Sequence, residues 1–498
     1  MTRHLTITPD LNWVSLLDQH IDFVMLEPAA ARAVAPIEAL SALHRKGVPI
    51  VLFARSRDHL QLFDPTMLSL VVSEEPDVID AAHVIVGKDR TLQIDPSVDI
   101  DLFNPIGWQR RPESNTAAVF PTTTKADESA DTKTLITPLG VEATVYTGRD
   151  RSPTHRATLA QAAKRHIAVL DSRQFHETET AFLQHMLEHA AMGLPIITTG
   201  SPRLGTLIPA GLIFTVGDPS ETLDSFNELR DTDDRERHSV RLRQYVLSRH
   251  TKRHRFDQIL AQIGVATPPP QRISIILSTN RPDHLEHAYD QIRAQQYPDL
   301  ELVTVLHGDG VPAGRAQELA DSLTFPNRIL TAPAGWTLGD CLNYATWHST
   351  GDLITKMDDD DFYGPHHLLD LVTARAYSKA DIVGKRGNFV FLAKEDVTVS
   401  WGADYQETSP VHIPGATMMY TRQLAHEYPF QRLSKGEDSD FFTRVRLDGG
   451  LLYSTHRYNF VRNRHGDHSF DKPDAEFLAE ADGEPTPGFD YQTTEIAY

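Results

Sequence analysis

Short apolar runs alternate with helix-spaced stretches along most of the chain. Phe23-Val24-Met25-Leu26 and Ile50-Val51-Leu52-Phe53 are unbroken hydrophobic quartets separated by a helical pattern, as expected of parallel strands buried on both faces and joined by crossovers. The alternation recurs further on. Thr178 is placed to cap a helix carrying Leu183, Met186, Leu187 and Ala190, Gly193-Leu194-Pro195 ends it, and Ile196-Ile197-Thr198-Thr199 reads as a strand. Ile273-Ser274-Ile275-Ile276-Leu277 and Leu302-Val303-Thr304-Val305-Leu306 predict two further buried strands. The pattern is that of an α/β protein.

Breaks in the pattern divide the chain. Thr267-Pro268-Pro269-Pro270 suits neither a helix nor a central strand. The stretch 110–133 is polar, Pro/Thr-rich and without periodicity, so it reads as a loop or linker. These breaks predict an N-terminal α/β lobe over 1–110, a second lobe over 134–265, a third domain over 272–470 and an acidic tail over 471–498.

Composition narrows the function. With 498 residues the chain exceeds a single core, and 40% hydrophobic residues suit a folded protein. Lys plus Arg number 48 against 68 Asp plus Glu, a net charge of -20, which argues against nucleic acid as a partner. One cysteine, Cys341, excludes a disulfide framework and a cysteine-rich zinc site and reads as a core residue. No apolar run approaches the ~20 residues of a bilayer span, and MTRHLTITPDLNW lacks a signal pattern. The expectation is a cytoplasmic protein without a transmembrane segment, with peripheral membrane contact left open.

The candidate chemistry lies beyond Arg272. The turn Ser278-Thr279-Asn280-Arg281 follows a strand, where open α/β sheets bind ligands, although a helix cap would look the same. His307-Gly308-Asp309-Gly310 gives only GxGxxxG, and Pro312 disfavours a clean helix start, so the stretch reads as a glycine-permitted loop and a Rossmann NAD site is not expected. In Gly351-Asp352-Leu353-Ile354-Thr355-Lys356-Met357 a strand delivers Asp358-Asp359-Asp360-Asp361. Strand alternation would put Asp358 and Asp360 on one side, within reach of one hard cation, and Asp359 and Asp361 on the other. An EF-hand fails, because Asp370 rather than Glu holds the twelfth loop position. Glu437-Asp438 stands at a probable helix start, whose dipole favours ionised acids. Arg462-Asn463-Arg464-His465-Gly466-Asp467-His468 supplies two histidines.

Two resemblances attach to these motifs. LEHAAMGLPIITTG, with VLSRHTKRHRFDQIL, resembles the nucleotide-binding lobe of GT-B glycosyltransferases and CgeB-like domains over about 170–262. Glu188 matches the second acid of their donor-binding pair, while Thr180 stands at the first, so a structural or acceptor-binding module stays open. The ordered series IILSTNR, LGDCLNYAT, GDLITKMDDDD, GEDSDFF and RNRHGDHS resembles the family 2 glycosyltransferases of the GT-A fold over about 272–470.

The resemblance implies a GT-B-like pair of Rossmann-type lobes followed by a GT-A domain with a mixed central sheet. It implies an inverting, metal-dependent transfer from a nucleoside-diphosphate sugar to a carbohydrate or protein hydroxyl. Ser278, Thr279, Asn280, Arg281, Asp358 and Asp359 would meet the nucleotide. Asp358, Asp360 and His468 would hold Mn2+ or Mg2+, and Asp438, beside Glu437, would be the general base. His307-Gly308 replaces the usual acidic pair, leaving Asp309 to read the base. Gly415-Ala416-Thr417 and Trp401 fall on the acceptor side or serve packing. The rivals are a nucleotidyltransferase making a nucleotide-sugar and a non-catalytic carbohydrate- or partner-binding protein. The sequence leaves the oligomeric state open.

Overall fold

The structure is a computed structural model and describes residues 4–7, 21–26, 36–112, 117–119, 143–145, 153–170, 178–465, 472–489 and 491–498. The chain forms two compact units: residues 1–99, 172–188 and 249–269, and residues 100–171, 189–248 and 270–498. Among the described residues no helix is long and apolar enough to cross a membrane.

The first unit is built on a parallel sheet in the order His4–Ile7, Phe23–Leu26, Ile50–Phe53, Leu70–Ser73 and Thr91–Gln93. Alternate residues of each apolar quartet serve two cores. Val24, Leu26, Ile50, Leu52 and Val71 pack with Leu40 and Leu43 of helix Pro36–Arg45 and with Val78 and Ala82 of helix Pro76–Val86. Phe23, Val51, Leu70 and Val72 pack with Phe256, Ile259 and Leu260 of helix Lys252–Gln262. Burial on both faces is why the runs are unbroken.

The second unit carries a parallel sheet in the order Phe214–Thr215, Ile196–Thr198, Ala168–Leu170, Ala117–Val119 and Ala143–Val145. The strand order reverses between Ala168–Leu170 and Ala117–Val119, as in doubly wound sheets. The strands of the first unit instead follow chain order without a reversal. Both N-terminal sheets are thus α/β and parallel, and only the second has the reversal of a Rossmann-type lobe. Helix Glu179–Ala191 is capped by Thr178, whose hydroxyl accepts the Ala181 N–H at 3.1 Å. It stops at Gly193, which lies at φ +80, where a side chain would also meet Arg243 Cδ at 3.2 Å.

The C-terminal half of this unit carries a mixed seven-stranded sheet in the order Asn327–Ala332, Leu300–His307, Ile273–Thr279, Leu353–Lys356, Met419–Thr421, Ile382–Gly384 and Leu452–Ser454. The first four are parallel, and Met419–Thr421 runs antiparallel to both of its neighbours. Ile276, Val303, Val305, Ile354 and Tyr420 from the sheet pack with Cys341, Leu342 and Ala345 of helix Leu338–His348 and with Phe441, Phe442 and Val445 of helix Glu437–Leu447.

A second mixed sheet orders Phe362–Tyr363, Phe460–Arg464, Asn388–Leu392, Val397–Trp401 and Thr486–Pro487. The acidic C-terminal segment contributes that last strand and buries Phe477 and Ile496. One sequence expectation is corrected here. A helix, Ala313–Asp321, does begin directly after Pro312, which stands at the N-cap with extended backbone, where its missing N–H takes no bond from the helix.

Candidate active site

Strands Ile273–Thr279 and Leu353–Lys356 are parallel neighbours, with Ile276 opposite Lys356, and the Met357 N–H donates to the Ile276 carbonyl at 3.2 Å. Both therefore release their chains at one edge of the sheet, the edge where open α/β folds bind ligands. Tyr363 fixes the acidic turn between them. Its buried hydroxyl accepts the Asp358 N–H at 2.8 Å and donates to the Ala416 carbonyl at 3.1 Å. Phe362 and Tyr363 then pair antiparallel with Val461 and Phe460, which brings residues 462–465 alongside the acids.

The four aspartates have separate partners. Asp358 pairs with Lys356 at 2.9 Å, and burial pushes its carboxyl above the usual range. Asp359 accepts the Thr279 hydroxyl at 2.5 Å and is gripped by Arg281 through both Nε, at 3.2 Å, and Nη2. Asp360 lies 2.9 Å from Arg281 Nη1 and 2.9 Å from His465 Nε2. Against burial, Arg281 and His465 hold its carboxyl below the usual range. Asp361 accepts the Asn463 N–H at 3.0 Å; burial, with Asp360 and Asp358 nearby, pushes it well up. The expected two-sided alternation is not observed. The strand ends at Lys356, so the acids stand in a turn where period two no longer applies, and Arg281 spans Asp359 and Asp360 together.

A second acidic group adjoins through Lys356. Burial opposes the charge of this lysine, but Asp358, Glu437 and Asp438 outweigh it and raise its affinity for a proton. Glu437 and Asp438 open helix Glu437–Leu447 behind Gly436, which adopts φ 78. Burial drives the Glu437 carboxyl up despite Lys356 and the helix end. Asp438 accepts the Ser439 N–H at 2.6 Å and packs on Gly415, where an added Cβ would lie 2.5 Å from Asp438 Oδ2.

Other sequence candidates fall at varied distance from this centre. Asn280 and Asp309 are exposed, and their loops adjoin, since a Cβ on Gly310 would lie 3.7 Å from the Asn280 carbonyl. Ser278 turns instead to the buried Cys341 thiol. His307 buries an Nε2 that has no partner among the described residues. Trp401 donates to Glu480 at 2.9 Å and packs on Phe477. His468 lies outside the described residues. Residues not singled out for the site in sequence, Lys356 and Tyr363, do touch the acids; His465, quoted only within its motif, does so too.

The donor types around Asp360 suit a hard divalent cation: carboxylates at Asp358 and Asp360 and an imidazole at His465. Among the described residues no three such side chains are already gathered around one point. A stand-in cation, the Arg281 guanidinium, lies against Asp360 instead. The donor set fits a metal that must displace a protein cation.

Residues 274–399 match the model of the family described as Glycosyl transferase family 2. No curated protein matches the chain. Among solved structures, a mannosyltransferase from Pyrobaculum calidifontis, solved with GDP-Man and Mn2+, is 20% identical over 39% of this chain and 57% of its own, at a TM-score of 0.33. TarS 1-349 of S. aureus with UDP-GlcNAc is 17% identical over 43% of this chain and 68% of its own, at 0.35. Without the sugar nucleotide, TarS 1-349 is matched over 60% of its length at 0.33. At these scores the likenesses are loose, and the assignment rests on the family match. Over residues 274–399, about a quarter of the chain, the sequence is similar to the family 2 glycosyltransferases.

Proposed function

We propose that the chain transfers a sugar from a nucleoside-diphosphate donor to an acceptor hydroxyl, with inversion at the anomeric carbon. The observation that carries this reading is the meeting, through Lys356, of the Asp358–Asp361 turn with Glu437 and Asp438 at one sheet edge. A strand-end turn with Thr279, Asn280 and Arg281 faces the donor, and Asp309 on the adjoining loop is placed for its base. Asp358, Asp360 and His465 would hold Mn2+ or Mg2+, with His468 as the further ligand implied by resemblance. Such a cation, when bound, neutralises charge developing on the departing diphosphate.

The protein's own groups do the rest. Arg281 offers a planar fork suited to phosphate oxygens. Asp438 takes the proton from the acceptor hydroxyl as it attacks opposite the leaving diphosphate. Glu437, whose carboxyl is raised by burial, stands beside it without sharing the base role. Incubation with a panel of nucleotide sugars tests the reading through release of nucleoside diphosphate. Asp438→Asn is expected to abolish transfer while keeping nucleotide binding. Release of pyrophosphate from a nucleoside triphosphate, with no diphosphate from any sugar nucleotide, would replace the reading with nucleotidyl transfer.

The N-terminal sheets belong to the same proposal as a GT-B-like, CgeB-like accessory region. Glu188 there is buried and bonded to Gln184 Nε2 at 2.8 Å, which favours a structural part for it over donor binding.

A further inference from the structure

Arg281 already supplies the positive charge that a metal would bring to the acidic turn. It reaches Asp359 through two nitrogens and Asp360 at 2.9 Å, with His465 Nε2 3.5 Å from its Nη1. Asp358 and Asp361 have other counter-charges, Lys356 at 2.9 Å and the electrostatic partner Arg462. A divalent cation entering between Asp360 and His465 would therefore meet the guanidinium at close range, where like charges repel. The arginine stands on the solvent side of the acids. Its side chain is 32% exposed, against 4% for Asp359 and 11% for Asp360, so it lies across the mouth of the cluster.

We propose that Arg281 is an exchangeable internal counter-ion, which holds Asp359 and Asp360 together beside His465. It yields Asp360 and His465 to a divalent cation and passes its guanidinium to the diphosphate. This rests on the transferase reading above. It makes cation and nucleotide binding reciprocal: the cation alone binds weakly because it must displace Arg281, and the diphosphate aids it by accepting the released arginine.

The test is titration of the full-length protein with Mn2+ alone, followed by calorimetry or by loss of the free-ion electron-spin signal. Arg281→Gln is expected to bind Mn2+ at least about tenfold more tightly than the wild type (~1.4 kcal/mol), and Arg281→Lys to resemble the wild type. Added UDP or GDP is expected to tighten Mn2+ binding in the wild type and to do so by less than about threefold in Arg281→Gln, ~0.65 kcal/mol. Should Arg281→Gln melt early because its acids repel, Mn2+ is expected to raise its melting temperature more than that of the wild type. Equal or weaker Mn2+ binding by Arg281→Gln, or no such rescue, overturns the exchange and leaves the transferase reading intact. If neither protein binds Mn2+ with nucleotide present, yet sugar transfer persists, the metal assignment falls and the exchange with it.

Discussion

Gly415 and Asp438 touch so closely that a Cβ on the glycine would lie 2.5 Å from Asp438 Oδ2 and 3.0 Å from its Cβ. Real Cβ atoms do not approach that near, so any side chain at 415 must displace the proposed base. Gly415 is in the ordinary backbone region, since no positive φ is recorded for it, and the requirement is one of space alone. Gly415→Ala is expected to lower kcat by at least about 100-fold, the usual scale of misplacing a catalytic group by an ångström, with little change in KM for the donor. Unchanged kcat in a folded variant would show that the Asp438 carboxylate is not in the chemistry.

Lys356 is the common counter-ion of two acidic groups, paired with Asp358 at 2.9 Å and electrostatically coupled to Glu437 and Asp438. Replacing it with methionine keeps the volume and removes the charge. Breaking a buried pair from one side usually costs about 3–5 kcal/mol; with Asp358 32% exposed, a loss near ~2 kcal/mol is expected. Urea unfolding checks it. A stability within ~0.5 kcal/mol of the wild type would mean that solvent already compensates these acids.

Thr279 carries two bonds with one hydroxyl, donating to Asp359 at 2.5 Å and accepting the Arg281 N–H at 3.1 Å. Thr279→Val preserves the β-branched shape that suits the strand and leaves both partners short. The expected loss is about 1–3 kcal/mol of stability, together with weaker nucleotide binding, since the Arg281 turn loses its anchor. Binding and unfolding measured on one preparation separate the two effects. An unaltered nucleotide affinity would remove this turn from the donor site.

How far these relationships were visible in sequence depends on the range of the forces involved. The strands Phe23–Leu26, Ile50–Phe53 and Ile273–Thr279 were legible because double-sided burial writes itself as an unbroken apolar run. The acidic turn and the Glu437–Asp438 helix start were legible because like charges rarely cluster beside a core without a compensating partner. What each aspartate touches was not, since Lys356 ends the strand and the turn geometry is set by Tyr363, whose hydroxyl contacts both Asp358 and Ala416. Nor was the place of His465, which depends on the antiparallel pairing of Tyr363 with Phe460, a contact between segments far apart in the chain. The strand order of the first unit was equally hidden, because an apolar quartet specifies burial but not its neighbours.

Two histidines of the C-terminal half are buried where a charge is hard to hold. His456 is fully buried, 3.2 Å from Asp370 Oδ1 and 2.8 Å from Gln244 Nε2, and burial, with Lys385 nearby, lowers its pKa from 6.5 to about 4. His367 is likewise fully buried, and burial and Lys385 lower it to about 3. A depressed pKa means that the unfolded chain takes up protons that the folded protein refuses. The stability is complete above the ordinary value of 6.5 and is lost as the pH falls from there toward the folded values. Each histidine contributes a slope of up to ~1.4 kcal/mol per pH unit in that window. Of the chain's titrating groups, these two rings are therefore each expected to add to urea unfolding a fall in free energy of up to ~1.4 kcal/mol per unit below about pH 6. His456→Gln, close in size and without the titration, is expected to make that fall shallower. A wild-type fall no steeper than that of His456→Gln between about pH 6 and 5 would mean that this ring is protonated equally in the folded and unfolded chain.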